Sequence, residues 1–330
     1  YYLRKQIIYV IIGAVCGFGA FLIPTECYYK IYPKIYAVNL IMLFSVLILG
    51  TDINGARRWF SLGFINLQPS EISKVLMIIC LSSYLFRRKN STGPGTFWGS
   101  FLYTLVPLFL IFREPDLGTS IVLFTIWLVI NFVMGTDLKN IIICVLIFAT
   151  LGLSVWYIPG VLKPYQRERI ESFANPEGDS LNSGYHVTQS KIAIGSGEFM
   201  GKGFLRGGQR ALKFIPEQHT DFVFTVLGEE WGFAGCMVLL ILYGLLIYRL
   251  IFIALNTDNL IGKGIVSGIA GMFMFHIFTN IGMTLGIMPV TGLPLLFVSY
   301  GGTSLIVSLT SIGLAEAVAI RKGNDYFFTD

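Results

Sequence analysis

The stretch GTSIVLFTIWLVINFVM, residues 118–134, decides the fold, because from Thr119 to Met134 it carries no charge at all. A membrane crossing needs about 20 predominantly apolar residues, with a range near 17–25. Working outward from this run, further candidate spans emerge at 7–23, 35–51, 71–86, 99–113, 138–158, 228–253, 264–285 and 302–320. Several are short, so neighbouring helices must cover their polar ends. Gly50, Pro115, Pro159, Gly286 and Pro289 punctuate the runs and mark where helices break. Composition agrees. Hydrophobic residues make up 54% of the chain and charged residues 13%, and mean hydropathy is +0.70. An ordinary soluble domain carries about 25% charged residues, so a dispersed soluble fold is excluded for want of polar surface. The expected fold class is an all-α polytopic membrane protein with nine transmembrane helices in this chain, built as a single membrane domain over residues 1–330.

Lys and Arg in the short gaps set the orientation. One set of gaps holds ten of them, including Lys139, Arg249, Arg87–Lys89 and Arg321-Lys322, and the opposite set holds five (Arg4, Lys5, Arg57, Arg58, Arg113). The C-terminus is therefore expected in the cytoplasm and Tyr1 outside. The chain opens without Met or a signal-peptide layout, so a further helix upstream is expected, giving ten spans with both ends inside. The gap from Gly160 to Thr220, between the sixth and seventh spans of this chain, is 61 residues long and keeps Tyr165, Phe173, Tyr185, Phe199, Phe204 and Phe214. Loops of that length are usually functional or disordered, and its aromatic content points to a folded extracytoplasmic loop. The gap Asp52–Ser70, with Arg57-Arg58-Trp59-Phe60, suits an interfacial segment. The five cysteines show no metal spacing, sit mostly in apolar runs and are expected to be buried free thiols.

Ionisable residues in or at the mouth of a span are functional candidates, and four places qualify. In Pro216-Glu217-Gln218-His219-Thr220-Asp221-Phe222, Asp221 sits where a polar loop enters an apolar helix. Partial desolvation there raises a carboxylate's basicity, although Thr220 or Asp221 would serve equally as a helix cap and His219 as a scaffold residue. In Gln68-Pro69-Ser70-Glu71-Ile72-Ser73-Lys74, the acid and the base are three residues apart and share a helical face, either as a structural ion pair or as the lining of a polar cavity. Arg113-Glu114-Pro115-Asp116 lies at a helix break, and turn chemistry accounts for Pro115 and Gly118 but not for three charges between two apolar spans. Ser299-Tyr300-Gly301-Gly302 opens a helix with glycines that can present N–H groups to an anion or simply pack closely. Ser196–Gly203 is no nucleotide-binding loop, lacking the Gly-Lys-Ser/Thr ending. Lys191, Lys202, Arg206 and Arg210 around it form either a solvated charged surface or partners for a pyrophosphate.

The run from Tyr185 to Gly232, with Gln68–Lys74, Pro115–Thr119, Ala56–Trp59 and Val298–Ser304, closely resembles the SEDS family of shape, elongation, division and sporulation proteins. Gly203–Gln209 with Phe214–Pro216 looks like the elongation branch, typified by RodA, rather than the division branch. The resemblance implies a peptidoglycan glycosyltransferase of ten helices in the bacterial cytoplasmic membrane. It would polymerise lipid II, the undecaprenyl-pyrophosphate-linked disaccharide peptide, on the extracytoplasmic side. Its implied partners are a class B penicillin-binding protein and other elongation-complex proteins, and no nucleic acid. The family's essential aspartate falls on Asp221, and its essential glutamate and lysine fall on Glu71 and Lys74. Glu114 departs from the Gln that many relatives carry before the Pro-Asp pair.

The two lines join in one mechanism. Asp221 is the general base on the attacking sugar hydroxyl, and undecaprenyl pyrophosphate leaves with inversion at the anomeric carbon. The leaving group needs positive charge, for which Arg58, Lys74, Lys191, Lys202 and Arg206 are candidates. Glu71, Asp116, His219, Ser299 and Gly301 complete the expected substrate-binding set. No definite cofactor is called for, and a divalent cation such as magnesium or manganese is a candidate helper for the leaving group. A lipid II flippase is the alternative, since broken helices and an intramembrane ion pair suit a transporter too.

Overall fold

The computed structural model describes residues 2–53, 56–61, 63, 66–88, 93–158, 164–174, 183–207 and 219–321. Pro216–Gln218, Gly208–Arg210, Phe214, Lys89 and Lys322 lie outside the described residues. Among those described, the chain forms α1 (Tyr2–Leu22), α2 (Thr25–Leu49), β1 (Thr51–Ile53), β2 (Ala56–Ser61), β3 (Asn66–Leu67), α3 (Pro69–Arg87), α4 (Pro94–Arg113), α5 (Leu117–Val133) and α6 (Leu138–Tyr157). There follow α7 (Pro164–Ala174), α8 (Ser183–Ser196), α9 (Val223–Leu255), α10 (Leu260–Thr284) and α11 (Gly302–Ile320).

Each of the nine expected spans falls on a helix. Among the described residues, seven helices (α1–α4 and α9–α11) are long and apolar enough to cross a membrane, and α5 and Leu138–Thr150 of α6 are shorter apolar helices. The gap after α2 adds a β element to this helical chain. There the chain forms an antiparallel three-stranded sheet in the order β1-β2-β3, with Thr51 opposite Trp59 and Phe60 opposite Leu67. Backbone between helices still needs hydrogen-bond partners, and the β-prone Trp59-Phe60 supplies a strand to pair. One correction concerns the thiols, since Cys80, Cys144 and Cys236 are buried but Cys16 and Cys27 are exposed, lying on α1 and α2, which are among the helices the protein covers least.

The chain divides into two compact units. The first comprises Tyr1–Val145, Ile247–Met274 and Gly301–Asp330. Its centre is α3, which packs on α2, α4, α5 and α11. Along α3, 78% of the span is buried, against 17% along α1. That difference follows from sequence: α3 carries Ser70, Glu71, Ser73, Lys74, Ser82 and Ser83, which lipid cannot solvate, whereas α1 offers lipid a nearly unbroken apolar surface. Helix α1 lies against α11 through small residues. A Cβ at Gly13 would stand 2.7 Å from Leu309 Cδ1, and one at Gly17 would stand 2.7 Å from the Leu309 carbonyl. Such spacing lets helix backbones approach closely.

The second unit comprises Leu146–Leu246 and Phe275–Tyr300. Here the long loop is organised by a break in α9 at Gly232, whose φ of 64° interrupts the helix. The break frees Phe233 N–H and Ala234 N–H, and with them the carbonyls of Glu229 and Glu230. The glycine-rich segment after α8 satisfies all four. Phe233 and Ala234 donate to the carbonyls of Glu198 (2.9 Å) and Phe199 (3.0 Å), while Lys202 and Gly203 donate to those of Glu229 (3.0 Å) and Glu230 (3.0 Å). Unpaired backbone at membrane depth is tolerated only when protein covers it in this way.

Candidate active site

In the first unit, the charges at the start of α3 and at the α4–α5 break form one cluster. Lys74 Nζ donates to Glu71 Oε1 at 2.7 Å, and both side chains are almost wholly buried. Among the described residues, Glu71 Oε2 has no hydrogen-bond partner. Asp116 caps α5: its Oδ1 accepts from Thr119 N–H (3.1 Å), and its Oδ2 accepts from the Thr119 hydroxyl (3.0 Å) and Gln68 Nε2 (3.0 Å). Gln68 also donates to Ser70 Oγ, and its backbone N–H donates to Thr303 Oγ1 on α11. Arg58, from β2, donates through Nε to the Glu114 carbonyl (2.8 Å) and through Nη2 to the Pro115 carbonyl (2.5 Å). These contacts make Arg58 a clamp on the end of α4. Gly301 is the extended N-cap of α11 without a side-chain cap, and the Tyr9 ring fills the space beside Gly302. Close packing therefore accounts for Gly302.

Glu114 is the anomaly of this cluster. It is 1% exposed, and among the described residues neither carboxyl oxygen accepts a well-formed hydrogen bond. Burial pushes its pKa up to about 9, the neighbouring Asp116 adds to the rise, and Arg58 and the Ser70 hydroxyl oppose it. Such a carboxyl keeps its proton at neutral pH. A protonated Glu has nearly the shape of Gln, which fits the departure noted in the sequence.

In the second unit, Asp221 lies on the turn entering α9 and is half-buried. Neighbouring backbone groups are pinned. Asn280 Nδ2 donates to the carbonyls of Asp221 (2.9 Å) and Leu293 (2.7 Å). Ser299 Oγ donates to the Thr220 carbonyl (2.5 Å) and accepts from Leu295 N–H (2.8 Å). Tyr300 N–H donates to the His219 carbonyl at 2.8 Å. Ser299 thus positions the turn with its hydroxyl, and the exposed His219 side chain takes no part in these pins.

Two residues absent from the sequence-derived set belong here. Asn280 ties the Asp221 turn to the 293–299 loop. Arg169 of α7 brings its guanidinium to Gly292, where Asp221 Oδ2 also arrives. Neither stands out in sequence, since Asn280 is one polar residue in an apolar helix and Arg169 one of several loop charges. The remaining expected cations separate. Lys202 Nζ pairs with the buried Glu229 at 2.8 Å, Lys191 lies against Gly286, and Arg206 is exposed on a turn. Among the described residues, no group of three or more His, Cys, Asp or Glu side chains converges as a metal site.

A family model described as the cell cycle proteins FtsW, RodA and SpoVE matches residues 1–324. The chain is 37% identical over 300 residues to the peptidoglycan glycosyltransferase MrdB of Escherichia coli K12, across 91% of this chain and 80% of that protein. It is 36% identical over 329 residues to the probable peptidoglycan glycosyltransferase FtsW of Nitrosococcus halophilus, across 97% and 83%. A chain of a peptidoglycan synthase complex, solved for the structural coordination of polymerization and crosslinking, superposes with a TM-score of 0.85 at 34% identity, covering 98% of this chain and 91% of that one.

Proposed function

We infer from membership of the FtsW, RodA and SpoVE family, to which this chain belongs, that it is a multi-pass membrane peptidoglycan glycosyltransferase. The finer reading is an elongation-type polymerase of lipid II that works outside the cytoplasmic membrane. Its partner would be a class B penicillin-binding protein, and the synthase complex to which a relative belongs supports that pairing.

One observation supports Asp221 as the base. Its turn is held from both sides by Asn280 and Ser299, so the carboxylate is oriented before substrate arrives, and such preorganisation is what general-base catalysis rewards. In the proposed step Asp221 takes the proton of the attacking sugar hydroxyl. The oxygen bonds to the anomeric carbon of a second lipid II, the carbon–oxygen bond to pyrophosphate breaks, and undecaprenyl pyrophosphate leaves with the electron pair. No acid need protonate that leaving group, unlike the paired carboxylates of a glycosidase. Purified protein incubated with lipid II alone tests the assignment. Glycan polymer should form without any other glycosyltransferase, and its absence under conditions where a purified relative polymerises would refute the reading.

A further inference from the structure

We propose that the segment from Ser196 to Gly207 is a membrane-interface anchor, with Phe199, Met200, Phe204 and Leu205 seated among phospholipids at the boundary where α9 enters the bilayer.

The height of the segment is fixed by α9. Its four backbone hydrogen bonds to Glu229, Glu230, Phe233 and Ala234 leave it no freedom to slide along the helix. Trp231–Tyr248 is the longest uncharged stretch of α9, bounded by Glu230 and Arg249. At 1.5 Å per residue this stretch is about 27 Å long, close to the roughly 30 Å hydrocarbon thickness. The break at Gly232 therefore lies at one edge of the hydrocarbon, and the docked segment lies there with it.

The side chains agree with that level. Phe199, Met200, Phe204 and Leu205 are 63%, 77%, 69% and 58% exposed. Trp231 and Phe233 are exposed as well, and the Phe199 and Phe233 rings lie 5.9 Å apart. The patch thus continues the apolar face that α9 presents through Val238, Ile241, Leu242 and Leu245. In water, a cluster this apolar on a twelve-residue segment would be uncommon. At a bilayer edge it matches the aromatic belt that flanks membrane proteins. The polar residues fit too, because Lys202 turns to Glu229 and Arg206 is left exposed at the level of lipid phosphates. The anchor would keep the loop that carries Asp221 close to lipid-borne substrate. The placement stands whether or not Asp221 is the base.

Spin labels at Met200→Cys and Phe204→Cys test it, each in the full chain without native cysteines, reconstituted in phosphatidylethanolamine–phosphatidylglycerol vesicles. Collision with oxygen, which partitions into lipid, is compared with collision with a water-soluble nickel chelate. At both sites the oxygen-to-nickel ratio should be several-fold higher than at Arg167→Cys on α7 and approach that at Leu242→Cys. A ratio like that of Arg167→Cys means the segment lies in water and overturns the proposal. So does low accessibility to both reagents, which means that protein covers the patch. Either site decides alone if the other variant fails to fold.

Discussion

Asp221 and Arg169 meet at Gly292: a Cβ added there would stand 3.5 Å from Asp221 Oδ2 and 3.6 Å from Arg169 Nη1. A carboxylate and a guanidinium beside the same glycine suit a base next to the charge that develops on a leaving group. Replacing Arg169 by Gln should lower glycan synthesis by on the order of 100-fold, the usual effect of losing one transition-state donor. Arg169→Lys should retain part of the rate. Polymer length and rate from lipid II are the measurements, and near wild-type turnover in Arg169→Gln would remove the residue from the site.

Asp221→Asn should abolish polymerisation while leaving the fold intact. The exchange is isosteric, and the Asn280 and Ser299 tethers of this turn run to the backbone carbonyls of Asp221 and Thr220, which it preserves. Thermal unfolding in detergent should barely change. Normal glycan synthesis by this variant would end the general-base assignment.

Glu71 and Lys74 form a buried pair, so removing one partner strands a charge. Each single neutralisation should cost roughly 3–5 kcal/mol. In a double-mutant cycle, Glu71→Gln with Lys74→Met should restore stability without restoring activity, which assigns the pair to substrate. Recovery of both would make it merely structural.

Glu114 makes stability depend on pH. Folded, it keeps its proton to about pH 9; unfolded, it loses it near 4.5. Between those values the unfolded chain binds fewer protons, so stability falls as pH rises. Glu114→Gln has no proton to lose. Its stability advantage should widen by up to about 1.4 kcal/mol per pH unit from about pH 5 to pH 9, then level off. A constant difference across that range, in thermal scans at stepped pH, would contradict the assignment.

Orientation is open to labelling. On a background without native cysteines, Arg167→Cys should react with a membrane-impermeant maleimide in intact spheroplasts, and Lys139→Cys only after lysis. The reverse pattern would move Asp221 to the cytoplasmic side and sink the polymerase mechanism.

By itself, the sequence determined the membrane class, the position of every long apolar helix, and the charged residues stranded at helix ends. Hydropathy over some 20 contiguous residues is a local property, and lipid is a nearly uniform solvent that reads it locally. The i,i+3 spacing of Glu71 and Lys74 was legible for the same reason, because helical geometry alone brings them to one face. What only the tertiary structure decided were the meetings between distant segments. Arg58 turns to the carbonyls ending α4 and Lys202 to Glu229, although both side chains suit a phosphate in sequence, and Ser299 turns to the Asp221 turn. Arg169 and Asn280 reached Asp221 from segments that no periodicity links to it. Even Gly232 passed for an ordinary glycine in an apolar run, until the break it permits proved to be where the glycine-rich loop docks. A side chain's partner is set by which backbones pack together, and that depends on the shape of the whole unit rather than on its neighbours in sequence.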